Sequence, residues 1–166
     1  EDLNDSEFKR RRDLRKYPFI TIDGVTAKDF DDAIYVEMTD RGFRLLVAIA
    51  DVSHYVRPGT TLDDEAYERG TSVYFPNFVS PMLPEVLSNE LCSLKPGVPR
   101  LVLVADMQLD FNGTLGRTEY YEGVIQGPPP HERERGYLDR SLLDETRGFV
   151  IIHHIVERVQ ERPQIR

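Results

Sequence analysis

Four carboxylates crowd into a short stretch of this sequence, between residues 18 and 36. Asp23, Asp29, Asp31 and Asp32 fall within ten residues of one another. Ionised carboxylates held this close repel each other, which raises their pKa values and lowers the stability of the fold. A divalent cation removes that conflict, and Mg²⁺ in particular prefers a few carboxylates, retained water molecules and substrate phosphates. The spacing therefore leaves two interpretations open, a metal site or a solvated acidic turn.

Two apolar runs flank these acids and predict the strands that would position them. Residues 18–22 are predicted to form an entering strand, and residues 33–38 a leaving strand. The dipeptide Asp23-Gly24 between them is typical of a turn. The series of acids and glycine that marks an EF-hand does not fit this stretch. We therefore expect an irregular loop that holds the acids together at one end of a sheet.

The remaining strand patterns predict a mostly antiparallel sheet. Residues 43–50 are apolar nearly throughout, so this strand is expected to be central and buried on both faces. A hairpin is predicted over residues 100–126, with its turn at Asn112-Gly113. With the short helices described next, these strands indicate an α+β fold.

Two short helices are expected between the strands. Residues 61–70 place acids in the first turn and Arg69-Gly70 at the end, with Thr61 as the predicted N-cap. Residues 85–94 have apolar side chains at helical spacing and are followed by a proline. These helices are expected to pack against one side of the sheet.

Composition indicates a soluble globular protein large enough for one domain. The 166 residues are 40% hydrophobic and 30% charged. Apolar runs stay well short of the roughly 18 residues of a membrane span, so no membrane partner is expected. The single cysteine, Cys92, excludes an intramolecular disulfide and suits a reducing compartment, so we expect a cytoplasmic location. A net charge of −8 leaves nucleic-acid binding open, because a nuclease needs only a few basic groups along its channel.

A proline-rich, mixed-charge segment predicts the domain organisation. Residues 1–126 are predicted to form the folded portion that carries the acids, and residues 127–137 a linker or loop. Residues 138–166 are predicted to form a helical segment of uncertain origin. Its apolar face is a candidate site for a protein partner or a cover for the sheet.

Two motifs are specific enough to point to a family. The first is Thr-Ile-Asp-Gly-x-x-Ala-Lys-Asp-Phe-Asp-Asp-Ala, at residues 21–33. The second begins with Arg-Gly-Thr-Ser-Val-Tyr-Phe-Pro at residues 69–76 and ends with Met-Leu-Pro-Glu-x-Leu-Ser-x-x-Leu-Cys-Ser-Leu at residues 82–94. Both resemble the RNB family of exoribonucleases, which includes ribonuclease II and ribonuclease R. The resemblance runs from about residue 8 to residue 126 and includes the hairpin.

This resemblance implies part of an RNB catalytic domain, with Mg²⁺ as cofactor and Mn²⁺ as the second candidate. The family degrades single-stranded RNA from its 3′ end and releases nucleoside 5′-monophosphates. By motif position, Asp23, Asp29 and Asp32 bind the metal directly or through water. Asp31, the fourth catalytic candidate, holds the metal site or the attacking water in place. Tyr74 matches the tyrosine that stacks on the 3′-terminal nucleotide.

The sequence also departs from the family's pattern, which keeps other hypotheses open. A downstream motif of the type Thr-Ser-Pro-[Ile/Leu]-Arg-[Arg/Lys]-Tyr, whose arginine lines the scissile phosphate, is not found in these 166 residues. One alternative is therefore a catalytically inactive module that keeps the fold and binds RNA or a protein. A third hypothesis is an unrelated metal-dependent phosphatase or nuclease that uses the same acids.

Overall fold

The computed structural model describes residues 5–23 and 27–127. The predicted linker beyond residue 127 and the predicted helical segment over 138–166 lie outside the described residues. The described helices and strands are α1 (Asp5–Arg10), β1 (Arg12–Asp13), β2 (Asp32–Thr39), β3 (Gly42–Ala50), α2 (Thr61–Arg69), β4 (Val73–Tyr74), β5 (Val79–Ser80), β6 (Pro99–Leu109) and β7 (Leu115–Gln126). Two short helical turns of other winding, Val52–His54 and Val86–Leu91, lie between them. Within these ranges, no helix is long and apolar enough to cross a membrane.

Five strands form one sheet in the order β1-β7-β6-β3-β2. Every neighbouring pair is antiparallel except β1 and β7, which run parallel. Strands β4 and β5 form a separate two-stranded hairpin. The predicted α+β class, with a mostly antiparallel sheet and short helices, is therefore confirmed.

One face of the sheet carries the hydrophobic core. Ala33, Ala48, Val104 and Tyr121 pair in succession across four strands, so their side chains lie on the same face. Ala33, Ala48 and Val104 are buried. The segment over residues 87–94 covers this face and adds buried apolar side chains to the same cluster. Burial of this cluster is the main favourable contribution to folding.

The predicted helix over 85–94 is wrong in length and in winding. Only Val86–Leu91 is helical, and it is wound more widely than an α-helix, since the amide of Cys92 donates to the carbonyl of Leu87 five residues earlier at 2.8 Å. The helix ends here because Arg100 takes the next carbonyls, those of Glu90 at 2.7 Å and Ser93 at 2.8 Å. The Arg100 side chain has taken the place of the backbone amides that would donate to these carbonyls in a longer helix.

The predicted strand over 18–22 is also wrong. Its only pairing is a single antiparallel bridge between Ile20 and Ile34. Pro18 has no amide hydrogen to donate, and the amide of Phe19 turns back to the carbonyl of Tyr17 at 2.9 Å. Phe19 is 1% exposed and packs in the core, whereas Ile22 is 68% exposed. The apolar run therefore supplies one core anchor and one bridge instead of a continuous strand.

The prediction for residues 43–50 is confirmed in position but not in burial. Strand β3 lies between β2 and β6, as expected for a central strand. Leu46 and Ala48 are fully buried, but Ile49 on the other face is 46% exposed. Among the described residues, the second face of the sheet is covered less completely than the first.

Turn chemistry explains the ends of the remaining elements. Helix α2 is confirmed, but its N-cap is Thr60 rather than the predicted Thr61, because the Thr60 side chain accepts the hydrogen bond from the Asp63 amide. The hairpin of β6 and β7 is confirmed as well. Asp110 Oδ1 accepts two backbone amides in its turn, each at 2.8 Å, and Gly113 adopts a φ of 80°.

A buried ion pair joins the N-terminal segment to the end of β3. Arg11 Nη2 lies 2.6 Å from Asp51 Oδ2, and their side chains are 1% and 2% exposed. The Ser53 hydroxyl also donates to Asp51, at 2.6 Å. Burial raises the pKa of Asp51, but the hydrogen bonds from Ser53 and Arg11 lower it further, so the balance lies below the ordinary value. Asp51 therefore has a structural role in this fold.

Asp51→Asn is expected to lower the free energy of unfolding by about 3 kcal/mol, because it removes the buried carboxylate and leaves the Arg11 charge only its pairs with Glu7 and, at 3.6 Å, with Glu122. Asp13→Asn is the matched control; it breaks an exposed pair with Arg15 and should cost at most about 1 kcal/mol. Because the pKa of Asp51 is depressed, its contribution is present at neutral pH and is lost as the pH falls through the folded-state value below 3.8. Urea unfolding at several pH values measures both effects. Equal losses for the two variants would contradict the assignment.

Gly42 begins β3 with a φ of 140°, and a Cβ at this position would overlap the backbone carbonyl oxygen of Leu109. Gly42→Ala is therefore expected to cost more than about 2 kcal/mol of stability. Gly113→Ala provides the comparison, since Gly113 also has a positive φ of 80° but has open space around it. Its expected cost is about 1 kcal/mol. Thermal unfolding of the two variants ranks them, and the reverse order would show that the close approach at Gly42 is unimportant.

Candidate active site

The acidic loop begins and ends at one point of the sheet. Ile20 and Ile34 exchange two backbone hydrogen bonds, of 2.9 Å and 2.8 Å. The loop between them contains all four acids that the sequence singles out, although residues 24–26 within it lie outside the described ranges. Asp23 precedes that gap, and the other three acids follow it on the segment that leads into β2.

Asp31 and Asp32 are positioned by the sheet itself. Asp32 is the first residue of β2 and pairs with Ile49 of β3. The carbonyl of Asp31 accepts a hydrogen bond from the amide of Ala50 at 2.8 Å. These two acids are consecutive residues at the edge of a rigid ladder, so their backbone has little freedom to separate them.

Asp29 contacts the aromatic side chain that the sequence also singles out. The hydroxyl of Tyr74 donates to Asp29 Oδ2 at 3.2 Å. The negative charge of Asp29 and this hydrogen bond raise the pKa of the Tyr74 phenol. Tyr74 lies on β4 and is 68% exposed, so its ring remains accessible to a ligand. The two sequence motifs therefore meet in space.

Electrostatics bring the other acids into the same group. Partial burial of its carboxyl group raises the pKa of Asp31, and the charges of Asp29, Asp32 and Asp23 raise it further. An acid feels such an effect only from charges that are close to it. The charges of Asp29, Asp32 and Asp23 therefore all act on the carboxyl group of Asp31 in the fold.

Ser93 forms hydrogen bonds with the backbone of the acidic loop, a contact that the sequence analysis did not predict. Its side chain is fully buried. The hydroxyl accepts a hydrogen bond from the Phe30 amide at 3.1 Å and donates one to the Lys28 carbonyl at 2.8 Å. A polar residue between two apolar ones, Cys92 and Leu94, was the signal available in the sequence, because a buried hydroxyl requires partners.

The donor set suits a hard divalent cation. Carboxylate oxygens are the ligands that Mg²⁺ prefers, and Mg²⁺ usually takes only one or two of them while keeping water molecules. Within residues 5–23 and 27–127, no three His, Cys, Asp or Glu side chains form a group that could hold a metal on its own. Cys92 is a buried free thiol, and burial raises its pKa to about 11. The thiol is therefore not a candidate ligand at neutral pH.

Comparison with known proteins gives one consistent family. Residues 11–128 match the RNB domain. Ribonuclease R of Escherichia coli is 60% identical over 116 residues, and the alignment covers 69% of this chain and 14% of that protein. Ribonuclease R of Buchnera aphidicola is 54% identical over 126 residues, with 74% of this chain and 17% of that protein covered. The chain thus spans less than a fifth of the length of these two relatives.

The solved structures agree with the sequence comparison. Mycoplasma genitalium RNase R in complex with double-stranded RNA matches with a TM-score of 0.80 and 34% identity, covering all of this chain and 32% of that one. The same protein in complex with ribose-methylated single-stranded RNA also matches with a TM-score of 0.80. The acids, the Tyr74 motif and the sheet that holds them all lie inside the matched region, and the chain belongs to the RNB domain family.

Proposed function

We propose that this chain forms the acid-bearing part of a Mg²⁺-dependent 3′-to-5′ exoribonuclease, which hydrolyses single-stranded RNA to nucleoside 5′-monophosphates. The observation that carries the proposal is that Asp31 lies within the influence of three other acids, and that one of them, Asp29, accepts a hydrogen bond from the exposed Tyr74. The names of the relatives, ribonuclease R, support the reaction class. Two of the matched Mycoplasma genitalium RNase R structures are complexes with RNA, which supports the substrate class.

Asp23, Asp29 and Asp32 hold the cation in this proposal, directly or through water. The raised pKa of Asp31 supports the proposal, because after partial burial its further causes are the charges of Asp29, Asp32 and Asp23, which a cation would offset. Mg²⁺ is the expected ion, and Mn²⁺, which accepts the same oxygen ligands, is the other candidate. When bound, divalent ions at such a site activate water, neutralise charge on the phosphate and stabilise the leaving oxygen.

In this proposal, two side chains of the chain position the attacking water and the 3′ end of the RNA. Asp31 accepts a hydrogen bond from the attacking water and orients it toward phosphorus. Attack of that water breaks the bond from phosphorus to the 3′ oxygen, so the released nucleotide keeps a 5′ phosphate and the shortened RNA keeps a 3′ hydroxyl. Tyr74 presents its ring to the terminal base, and stacking of this kind tolerates every base.

Asp32→Asn is expected to reduce 3′ trimming by about 100-fold or more, because it removes one metal ligand and one negative charge. The assay follows a 5′-labelled single-stranded RNA incubated with the chain and Mg²⁺. Wild type should give progressively shorter labelled products and free nucleoside 5′-monophosphates, and EDTA should stop the reaction. Asp40→Asn, in the exposed turn between β2 and β3, is the control and should trim at the wild-type rate.

The outcomes of that assay separate the competing functions. Absence of trimming by wild type, or full trimming by Asp32→Asn, would contradict the nuclease proposal. RNA binding that persists in EDTA without turnover would favour the inactive RNB-like module. Hydrolysis of mononucleotides in preference to RNA would favour an unrelated phosphatase.

Asp31→Asn is expected to raise the Tm of the metal-free protein at neutral pH, because it removes one charge from a group of repelling acids. The gain should shrink as salt is added, since salt screens the repulsion between exposed charges. Thermal unfolding in EDTA at low and high ionic strength measures both effects. Asp40→Asn is again the matched control. A Tm that falls for Asp31→Asn would show that this carboxylate is stabilised by its surroundings, contrary to the proposed crowding.

A further inference from the structure

The hydroxyl of Ser93 forms hydrogen bonds with the backbone of the acidic loop on both sides of Asp29. It donates to the carbonyl of Lys28 at 2.8 Å and accepts from the amide of Phe30 at 3.1 Å. The adjacent amide of Leu94 adds a bond of 2.9 Å to the carbonyl of Phe30. Three hydrogen bonds therefore tie the residues that flank Asp29 to a segment more than 60 positions away in sequence.

This contact differs from ordinary loop packing because it fixes the backbone before and after a single side chain. Ser93 is fully buried, so its hydroxyl has no access to bulk water and depends on these backbone partners. A short rigid side chain that uses both its donor and its acceptor in this way restricts the peptide units on each side of Asp29. The direction in which the Asp29 carboxylate leaves the backbone is restricted with them.

Ser93 is itself held by strand β6. Arg100 Nε donates to the carbonyl of Ser93 at 2.8 Å, Nη2 to the carbonyl of Glu90 at 2.7 Å, and Nη1 to the carbonyl of Pro99 at 3.1 Å. A guanidinium that donates to three backbone carbonyls fixes the end of the Val86–Leu91 turn relative to the sheet. The chain of contacts thus runs from β6 through Arg100 and Ser93 to the acidic loop.

We propose that Ser93 is a positioning residue for the metal site, because its hydroxyl sets the orientation of Asp29 and so raises the affinity for the divalent cation. Arg100 supports the same function by holding Ser93. The inference rests on the proposed function, which makes Asp29 a metal ligand. Ser93 contacts neither cation nor RNA in this scheme, so its effect is exerted through Asp29.

The test is a titration of the full chain with Mn²⁺, in which electron paramagnetic resonance follows the free ion. Ser93→Ala should weaken Mn²⁺ binding by about 10-fold, the lower end of the range seen when a partner that orients a metal ligand is removed. Ser88→Ala is the control; Ser88 lies in the same segment, and its hydroxyl contacts the Asn89 side chain instead of the loop. Its affinity should match wild type.

A conservative variant separates positioning from stability. Ser93→Thr keeps the hydroxyl but adds a methyl group at a fully buried position, so it should lower the Tm while leaving Mn²⁺ affinity within about threefold of wild type. Ser93→Ala leaves the Lys28 carbonyl and the Phe30 amide without this partner, so its Tm should also fall. Its Mn²⁺ affinity, however, should fall further than that of Ser93→Thr. The inference would be overturned if the Mn²⁺ affinities of Ser93→Thr, Ser93→Ala and Ser88→Ala fell in proportion to their Tm values.

The outcomes also distinguish this inference from the function on which it rests. If wild type binds no Mn²⁺, the proposed metal site fails and the role of Ser93 fails with it. If wild type binds Mn²⁺ and Ser93→Ala binds it equally well, only the role of Ser93 is overturned. Should Ser93→Ala fail to fold, Arg100→Lys decides the matter. This variant keeps the positive charge but loses the fork of donors, and unchanged affinity would again refute the inference.

Discussion

Negative charge gathered around Asp31 is the constraint on which the candidate site depends, since Asp29, Asp32 and Asp23 add to the effect of burial in raising the pKa of that carboxyl group. Left to itself, a loop with this composition would spread its charges into solvent. Three attachments prevent this: the Ile20–Ile34 bridge, the bond from the Ala50 amide to Asp31, and the grip of Ser93 on the residues beside Asp29. Each attachment is a hydrogen bond made by backbone groups or by a buried side chain, and none of them uses a carboxylate of the four acids. Local conflict held in place by a stable scaffold is characteristic of functional sites.

The fold class and the acidic motif could be predicted because they depend on local signals. Strand β2, strand β3 and the hairpin turn at Asn112-Gly113 follow from apolar periodicity and turn chemistry, which act over a few residues. The failures arose where a distant contact decided the outcome. Residues 18–22 have a strand-like composition, but the turn at Tyr17 and the burial of Phe19 leave only Ile20 to pair.

The candidate site was predictable in its members but not in its geometry. Motif position identified Asp29 and Tyr74, and their roles stay predictions, yet spacing alone gave no reason for them to touch across 45 residues. Ser93 was missed because its partners lie 63 and 65 positions earlier in the chain. Its only local sign is a polar residue among apolar neighbours. Long-range hydrogen bonds of this kind become visible once the sheet has brought the two segments together.

The hydrogen bond between Tyr74 and Asp29 has a consequence for how two ligands would sense each other. In the proposed function, the tyrosine ring at one end would stack on a base, and the carboxylate at the other end would bind a cation. A cation that binds this Asp29 oxygen competes with the Tyr74 hydroxyl for it. A base that moves the Tyr74 ring weakens the hydrogen bond and so changes how readily the oxygen binds a cation. Reciprocity then requires that each ligand change the other's affinity by the same factor. Under the proposed function, binding of the base and binding of the cation would be coupled thermodynamically through this single hydroxyl group.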